Sequence, residues 1–527
     1  MFRSLFLNWF LSRLKLPRDV HRNAFNKFAT RVVLKSKEKE VTYAQLKDRS
    51  YRLVAAWQAM GLKKGDIVFS QVGAEEALFE IRIASLEMGI VLTSFHSSHA
   101  SEFIDYAAEK VKPKLFIVNP EYGKGSAEAL SCTKPELPIW KTGKEELYEK
   151  QISSHKPHVS SETIFPEDAM GLGFTSGTTG APKGLISSHG AMIDSLKLLV
   201  KNLEQLPARS SKNISLTAIP FVGAGSGLIL PTFLSGGTIV ILEEYSPINL
   251  VEAIKKNGVT RLFVTPSQLI DLLEMPTSVD ADLATLSHII YGTAPMPAAK
   301  LEEAIKRFGP IFQQGYGQAE ILPPVSMLRS SEHIAKGKIA SRTVLRSSGK
   351  VVKGVEVRIV AADGRTVPTG KVGEVQVKTP TRLKTYLDPK QNKGTILPDG
   401  FFVTGDYGYL DSDNYLHILD RKDDLIQVES GLIYPRIVEE EVHDHPAVKE
   451  CCLVALADRP ILCVSIRNSF SNIAKDTIKE EIKSLLKARV QSWQMPSEIV
   501  FETALPRSLL GKVLRREVRD KLNARRG

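Results

Sequence analysis

Four cysteines in 527 residues are too few for a disulfide-built domain and wrongly spaced for a structural zinc site. Cys451 and Cys452 are adjacent, Cys132 and Cys463 stand apart, and there is no Cys-x-x-Cys pair. This usage fits a reducing compartment, so a cytoplasmic location is expected. Internal repeats and low-complexity tracts are also missing, which excludes solenoids and disordered arrays. One stretch, Asn213 to Leu242, lacks any charge and is long enough to cross a bilayer. Pro220, Pro231 and five glycines (Gly223, Gly225, Gly227, Gly236, Gly237) interrupt it. Its end, Gly-Gly-Thr-Ile-Val-Ile-Leu, reads as a turn and a buried strand, so a core segment is expected in place of a span. No acid precedes Asp19. Phe2, Leu5, Phe6, Trp9, Phe10 and Leu14 alternate with Arg3, Arg13 and Lys15. Residues 1–20 therefore read three ways: an amphipathic helix touching a membrane surface, a mitochondrial transit-like peptide, or a helix docked on its own domain. The C-terminal Ala524-Arg525-Arg526-Gly527 is not a peroxisomal signal.

What is present is ordinary in bulk. Hydrophobic residues make up 43% and charged residues 24%, as in globular proteins, and the length calls for two or three domains. Seventy basic against 59 acidic residues give a net charge of +11, which suits polyanionic ligands or an anionic surface. No nucleic-acid module is recognisable, so nucleic acid is not an expected partner. Short apolar runs at 67–70, 90–93, 115–118, 216–219, 238–242 and 262–264 recur between helical patterns. That alternation predicts an α/β fold with layered, mostly parallel sheets. After about residue 350 the runs at 355–360, 373–378 and 415–419 are more closely spaced, as in a β-rich, more antiparallel subdomain. A compact α+β piece follows Asp423. The expected domains are 21–422, with the β-rich part at about 350–422, and 423–527.

Phe174-Thr175-Ser176-Gly177-Thr178-Thr179-Gly180-Ala181-Pro182-Lys183-Gly184 packs hydroxyls, glycines and one lysine between an apolar run and a helical pattern starting near His189. Glycines let backbone N–H groups converge on an anion, hydroxyls donate further, and a lysine adds a point charge. A phosphate grip is the reading, against a plain Ser/Thr/Gly surface loop. It is not a Walker loop, because Pro182 precedes Lys183 and Gly184 follows it.

The loop resembles the signature of the adenylate-forming superfamily, and four further segments match that family in order. The family includes acyl-CoA synthetases, peptide-synthetase adenylation domains and luciferases; fatty-acid and 4-coumarate-type CoA ligases look nearest. The segments are Gln314-Gly315-Tyr316-Gly317-Gln318-Ala319-Glu320, Thr404-Gly405-Asp406, Asp420-Arg421-Lys422-Asp423-Asp424 and Leu505 to Arg516 around Gly511-Lys512. The resemblance implies a large N-terminal domain with a small mobile lid, and ATP, Mg²⁺ and CoA as cofactors. Thr175, Ser176, Gly177, Thr178, Thr179, Gly180 and Lys183 would bind the phosphates. Gly292, Thr293, Ala294, Pro295, Tyr316, Asp406 and Arg421 would hold adenine and ribose. Glu320 would carry Mg²⁺, Asp423 would be the hinge, and Lys512, with Glu320 and Thr175, would be catalytic. His189, Val222, Gly223, Ser430 and Gly431 are the implied acyl-pocket and thiol-tunnel positions.

The implied reaction joins a carboxylic acid to the α-phosphate of ATP and then passes the acyl group to a thiol, giving an acyl-CoA synthetase. A fatty acid is the favoured substrate, with an aryl acid open. A carrier protein is an alternative acceptor, and a non-catalytic nucleotide-binding relative is the alternative of another class. The chain departs from the family in four places. Ala319 replaces the usual threonine, and Pro220-Phe221-Val222-Gly223 lacks the family histidine. Aligned on Ile433 and Pro435, Ser430 and Ile437 replace a glycine and a glutamate of the lid loop, although a one-residue shift would bring Gly431 into the glycine position. The Ala457–Ile461 loop is short.

Overall fold

The computed structural model describes residues 11–175, 183–202, 212–508 and 511–525. Among these, two large sheets form the N-terminal domain. The first has nine strands, in the order Lys350–Val351, Ser326–Leu328, Phe312–Tyr316, His288–Tyr291, Arg261–Val264, Ile214–Thr217, Thr238–Val240, Val32–Lys35 and Glu40–Thr42. From Phe312–Tyr316 to Val32–Lys35 every pairing is parallel. Ile214–Thr217 and Thr238–Val240 come from the uncharged stretch, which is thus sheet core; no described helix is long and apolar enough to cross a membrane. The second sheet runs Thr385–Tyr386, Lys183–Ser188, Ala169–Thr175, Val91–Ser94, Ile67–Gln71, Leu115–Val118 and Ile139–Lys141. Leu115–Val118 is buried at every residue, as a parallel strand covered on both faces must be. The mixed α/β architecture with a smaller C-terminal domain is as expected.

Local signals set the element ends. The helix Tyr43–Ala59 begins at a capping box in which Thr42 accepts from Gln45 N–H and Gln45 reaches back to Thr42 N–H. The helix Glu76–Met88 stops at Gly89 in the left-handed conformation. A third, antiparallel sheet of Glu356–Val360, Gly373–Lys378, Phe402–Leu410 and Leu416–Arg421 forms the β-rich part. After the short turn Lys422–Asp424 the chain builds a separate core. There Val448–Leu456, Arg459–Ile466 and Glu498–Phe501 are backed by the helices Pro435–Val442 and Lys475–Lys487. Ala457 and Asp458, both at positive φ, make a two-residue hairpin turn between the first two of these strands, which accounts for the short loop.

The N-terminal boundary moves. The helix Pro17–Lys27 runs across the expected break at residue 20, because Val20, Ala24 and Phe25 form one buried face. Leu11 and Leu14 are buried in the same core. Phe25 meets Tyr43, Tyr51 and Phe233 edge-on at 6.4, 6.1 and 6.4 Å. Beside it, the carboxylate of Glu87 accepts from His21 Nε2 at 2.7 Å, Arg22 Nε at 2.9 Å and the Tyr51 hydroxyl at 3.2 Å. The rest of the proposed membrane-facing segment, Phe2 to Phe10, lies outside the described residues.

Candidate active site

In parallel sheets, ligands gather at the carboxyl ends of the strands. Gly292–Pro295 follow the strand His288–Tyr291, Gln314–Gly317 close Phe312–Tyr316, and Pro266 and Ser267 follow Arg261–Val264. These meet Asp406 and Arg421 of the third sheet and Gly511–Val513 of the C-terminal domain around a cavity of about 240 Å³. Gly292, Thr293, Ala294, Pro295, Tyr316, Asp406, Arg421 and Lys512 therefore come together although they span more than two hundred residues of sequence.

Asp406 is the hub. It is 4% exposed, and its backbone N–H donates to Thr404 Oγ1 at 3.0 Å. Its Oδ2 accepts from the Tyr316 hydroxyl at 2.5 Å and from Gln318 Nε2 at 2.6 Å, while Arg421 Nε lies 3.2 Å from Oδ1. Burial, together with Asp406, raises the Tyr316 phenol well above its ordinary range, so it stays a donor. Gln318 had no assigned role; its place two residues past Tyr316, on the same turn, was the available signal. Glu320 is half-buried outside the cavity lining; Asp406 and then Glu320 raise the pKa of Arg421 against its burial, and burial and then Glu320 raise that of Tyr386. Among the described residues no cluster of three or more His, Cys, Asp or Glu side chains could hold a metal by itself.

Lys512 arrives on a tight turn. Gly511 N–H donates to Ser508 C=O at 2.9 Å and Lys512 N–H to Ser508 Oγ at 3.2 Å. Gly511 has φ 71°, and a Cβ there would sit 2.7 Å from Thr265 Oγ1, so only glycine lets the turn rest on the N-terminal domain. The Ser267 hydroxyl lies 3.0 Å from Gly511 C=O and 3.1 Å from Glu450 Oε1, and Arg507 pairs with the other oxygen of Glu450. Burial, then the positive charge of Arg421, lowers the Lys512 pKa. Sequence reasoning missed this Ser267–Glu450–Arg507 cradle, because its three parts are far apart in the chain.

Further links hold the C-terminal domain down. Glu440 accepts from Ala298 N–H at 2.7 Å, Lys300 Nζ donates to Val448 C=O at 2.7 Å, and Arg342 reaches Asp444 at 2.6 Å. Arg515, quoted in the sequence motif but given no role, is half-buried, pairs with Glu439 and donates to Leu453 C=O at 2.7 Å. Asp423 lies in the exposed turn Lys422–Asp424, where the chain passes from one core to the next.

The hydroxyl-rich segment lies only partly within the described residues. Thr175 ends the strand Ala169–Thr175 and pairs across to Lys183, which starts Lys183–Ser188. Ser176, Gly177, Thr178, Thr179 and Gly180 lie outside the described residues, as does the Thr175 side chain. The two strands that flank the segment thus form an antiparallel pair. The segment does not lead straight into the helix, which begins six residues later at His189; Leu185 packs into a core and needs a strand to do so.

The acyl-pocket and tunnel positions do not meet this cavity. The His189 ring is fully buried with both nitrogens unpartnered, and burial lowers its pKa to about 4. It lies among charges from Asp168, Arg18 and Lys64. Val222 and Gly223 lie beyond the end of Ile214–Thr217 and are absent from the lining. Ser430 and Gly431 occupy a hairpin between Ile426–Val428 and Gly431–Ile433, also away from the cavity. Gly431, at φ 149° with the Trp493 ring 3.5 Å from its Cβ position, is where the backbone favours glycine; Ser430 is exposed.

Residues 20–387 match the AMP-binding enzyme family and residues 437–512 its C-terminal domain. The fatty acid–[acyl-carrier-protein] ligase ScoC of Streptomyces coeruleorubidus is 28% identical over 488 residues, covering 91% of each chain. The medium/long-chain-fatty-acid–CoA ligase FadD8 of Mycobacterium tuberculosis is 32% identical over 363 residues, 67% of this chain and 61% of that one. The solved anthranilate CoA ligase AuaEII, in complex with anthranoyl-AMP, superposes with a TM-score of 0.87 at 21% identity, over 98% of this chain and 99% of that one; at that identity it speaks for the fold.

Proposed function

Given that the chain belongs to the AMP-binding enzyme family, an AMP-forming acid–thiol ligase, we propose that it activates an aliphatic carboxylic acid as an acyl-adenylate and transfers the acyl group to CoA. One observation carries the first step: Lys512, on the second domain, shares a cavity with Asp406, Tyr316, Arg421 and the Gly292–Pro295 turn. Attack of a carboxylate on a phosphate brings two anions together, and a buried ammonium relieves that repulsion most in the transition state. Asp406 offers two oxygens to a ribose diol, and Tyr316, Gln318 and Arg421 orient it. The loop from Thr175 to Lys183 is assigned to the phosphates. Glu320 would hold Mg²⁺, which fits one carboxylate plus substrate phosphates and screens charge when bound. No side chain acts as a nucleophile, so positioning and electrostatics do the chemistry.

In this orientation the hairpin with Ser430 and Gly431 stands away from the cavity. Thiol transfer is assigned to a second orientation, reached by turning about Asp423. ScoC passes its acyl group to a carrier protein, by its name, so a carrier's pantetheine arm is the second acceptor to test.

The test is acid-dependent pyrophosphate release with Mg·ATP, with and without CoA and holo-carrier protein. Release that turns over with CoA establishes the assignment. Release of one equivalent that only the carrier accelerates moves the acceptor, and no release with any acid rejects catalysis. A second expectation separates the two steps. Glu450→Gln weakens the cradle under Lys512, so adenylate formation should fall about tenfold. Thioester formation from supplied acyl-adenylate should stay near wild type. Equal losses in both half-reactions would show that Glu450 only supports folding.

A further inference from the structure

Arg436 has no part in the chemistry above. It stands in the first turn of the helix Pro435–Val442 of the C-terminal domain, but its hydrogen bonds run to the N-terminal domain. The backbone N–H donates to Asp420 Oδ2 at 2.8 Å, Nη2 donates to Arg346 C=O at 3.1 Å, and Nη1 donates to Ile418 C=O. The first of these replaces a missing cap. Tyr434, at the N-cap position, gives the helix no side-chain acceptor, so one of its free N–H groups takes an acceptor from the other domain. A carboxylate there also suits the positive end of the helix.

The order of these residues along the chain matters. Ile418 and Asp420 precede the turn Lys422–Asp424, Arg346 ends the helix Arg342–Arg346, and Arg436 follows the turn. A rotation about Asp423 therefore carries Arg436 away from all three acceptors at once. The neighbouring ion pairs are softer. Arg346 reaches Glu440 at 3.1 Å and Glu441 at 3.0 Å, but its side chain is 33% exposed, and such pairs hold a geometry weakly. Two backbone carbonyls cannot swing to follow a guanidinium, and a hydrogen bond from a charged donor to each is worth about tenfold or more in an equilibrium. We propose that Arg436 is a positioning residue for adenylate formation: it fixes the C-terminal domain in the orientation that brings Lys512 to the nucleotide cavity, and its release limits passage to the thioester orientation. Arg436 also lines that cavity, so ATP affinity is the readout that separates positioning from direct contact with the nucleotide.

This rests on the ligase reading with its two orientations, and the experiment separates the two. Three quantities are measured for wild type, Arg436→Met and Arg436→Lys: single-turnover adenylate formation at saturating Mg·ATP and acid, thioester formation from supplied acyl-adenylate with CoA or holo-carrier protein, and equilibrium ATP binding. The acid is the one of butyrate, octanoate, palmitate and benzoate that wild type activates fastest. In Arg436→Met, adenylate formation should fall about tenfold and thioester formation should rise about threefold, with ATP affinity within about threefold of wild type. Arg436→Lys keeps a charged donor and should fall between the two. A ratio of thioester to adenylate rates that rises less than about tenfold in Arg436→Met would overturn the proposal and leave the ligase standing. So would equal loss in both half-reactions with a lowered Tm, since Arg436 would then only support the fold. ATP affinity weakened by more than about threefold would also overturn it, since Arg436 would then be a nucleotide contact. No turnover by wild type with any of these acids would overturn both.

Discussion

Replacing Lys512 with alanine should slow acyl-adenylate formation by about 10²–10³-fold, the usual cost of losing one preorganised group that stabilises developing charge. ATP affinity should change by less than about threefold, because Asp406, Tyr316, Gln318 and Arg421 remain on the N-terminal domain. Equilibrium nucleotide binding and single-turnover pyrophosphate release measure the two quantities separately. The pH profile adds a readout that a merely structural residue would not move. The reaction needs the ammonium form, and burial beside Arg421 has lowered the Lys512 pKa. Activity should therefore decline with rising pH earlier than an ordinary lysine would allow, and that limb should vanish in the alanine variant. Unchanged adenylation in Lys512→Ala would remove Lys512 from the mechanism.

The second large effect concerns stability. Glu87 has a fully buried carboxylate. Burial by itself would raise its pKa, but the hydrogen bonds from His21 and Arg22 win and hold it at about 2, against an ordinary 4.5. A carboxylate depressed in this way stabilises the fold fully above about pH 4.5. The contribution, about 3 kcal/mol, is lost as pH falls from there toward 2. Glu87→Ala should cost about 3–5 kcal/mol at neutral pH, because it leaves His21, Arg22 and Tyr51 facing a void without their acceptor. It should also remove the acid-dependent part of unfolding in that window. Urea unfolding across pH 3 to 7 measures both effects. A loss below about 1 kcal/mol would show that the network does not hold the first helix.

Much of the fold was legible because hydrophobic runs and turn residues act locally. The run 115–118 became a strand with those bounds, and Gly373–Lys378 likewise. Ends elsewhere shifted by a residue or two, as where the run 90–93 became the strand Val91–Ser94. The loop before His189 was misread because Lys183–Ser188 is short and polar at its end; its strand character comes from pairing with Ala169–Thr175 and Thr385–Tyr386. The resemblance located Tyr316, Asp406, Arg421 and Lys512, each in a short motif. Ser267 and Glu450 were not legible because they meet only where the two domains pack together, and Gln318 because its partner Asp406 lies 88 residues further along the chain.

The docking of the first helix has a consequence for synthesis. Phe25 leaves the ribosome 208 residues (233 minus 25) before Phe233, the ring that closes over it. Phe28 waits as long for Gly236, whose bare backbone accepts its ring at 2.5 Å from the Cβ position. At about 5–20 residues per second this is a delay of roughly 10–40 s. Through that interval the nascent chain carries an apolar helix face that lacks its contacts to Phe233 and Gly236. This helix is thus translated well before the residues that bury it, so a holdase acting on nascent chains would find a target there.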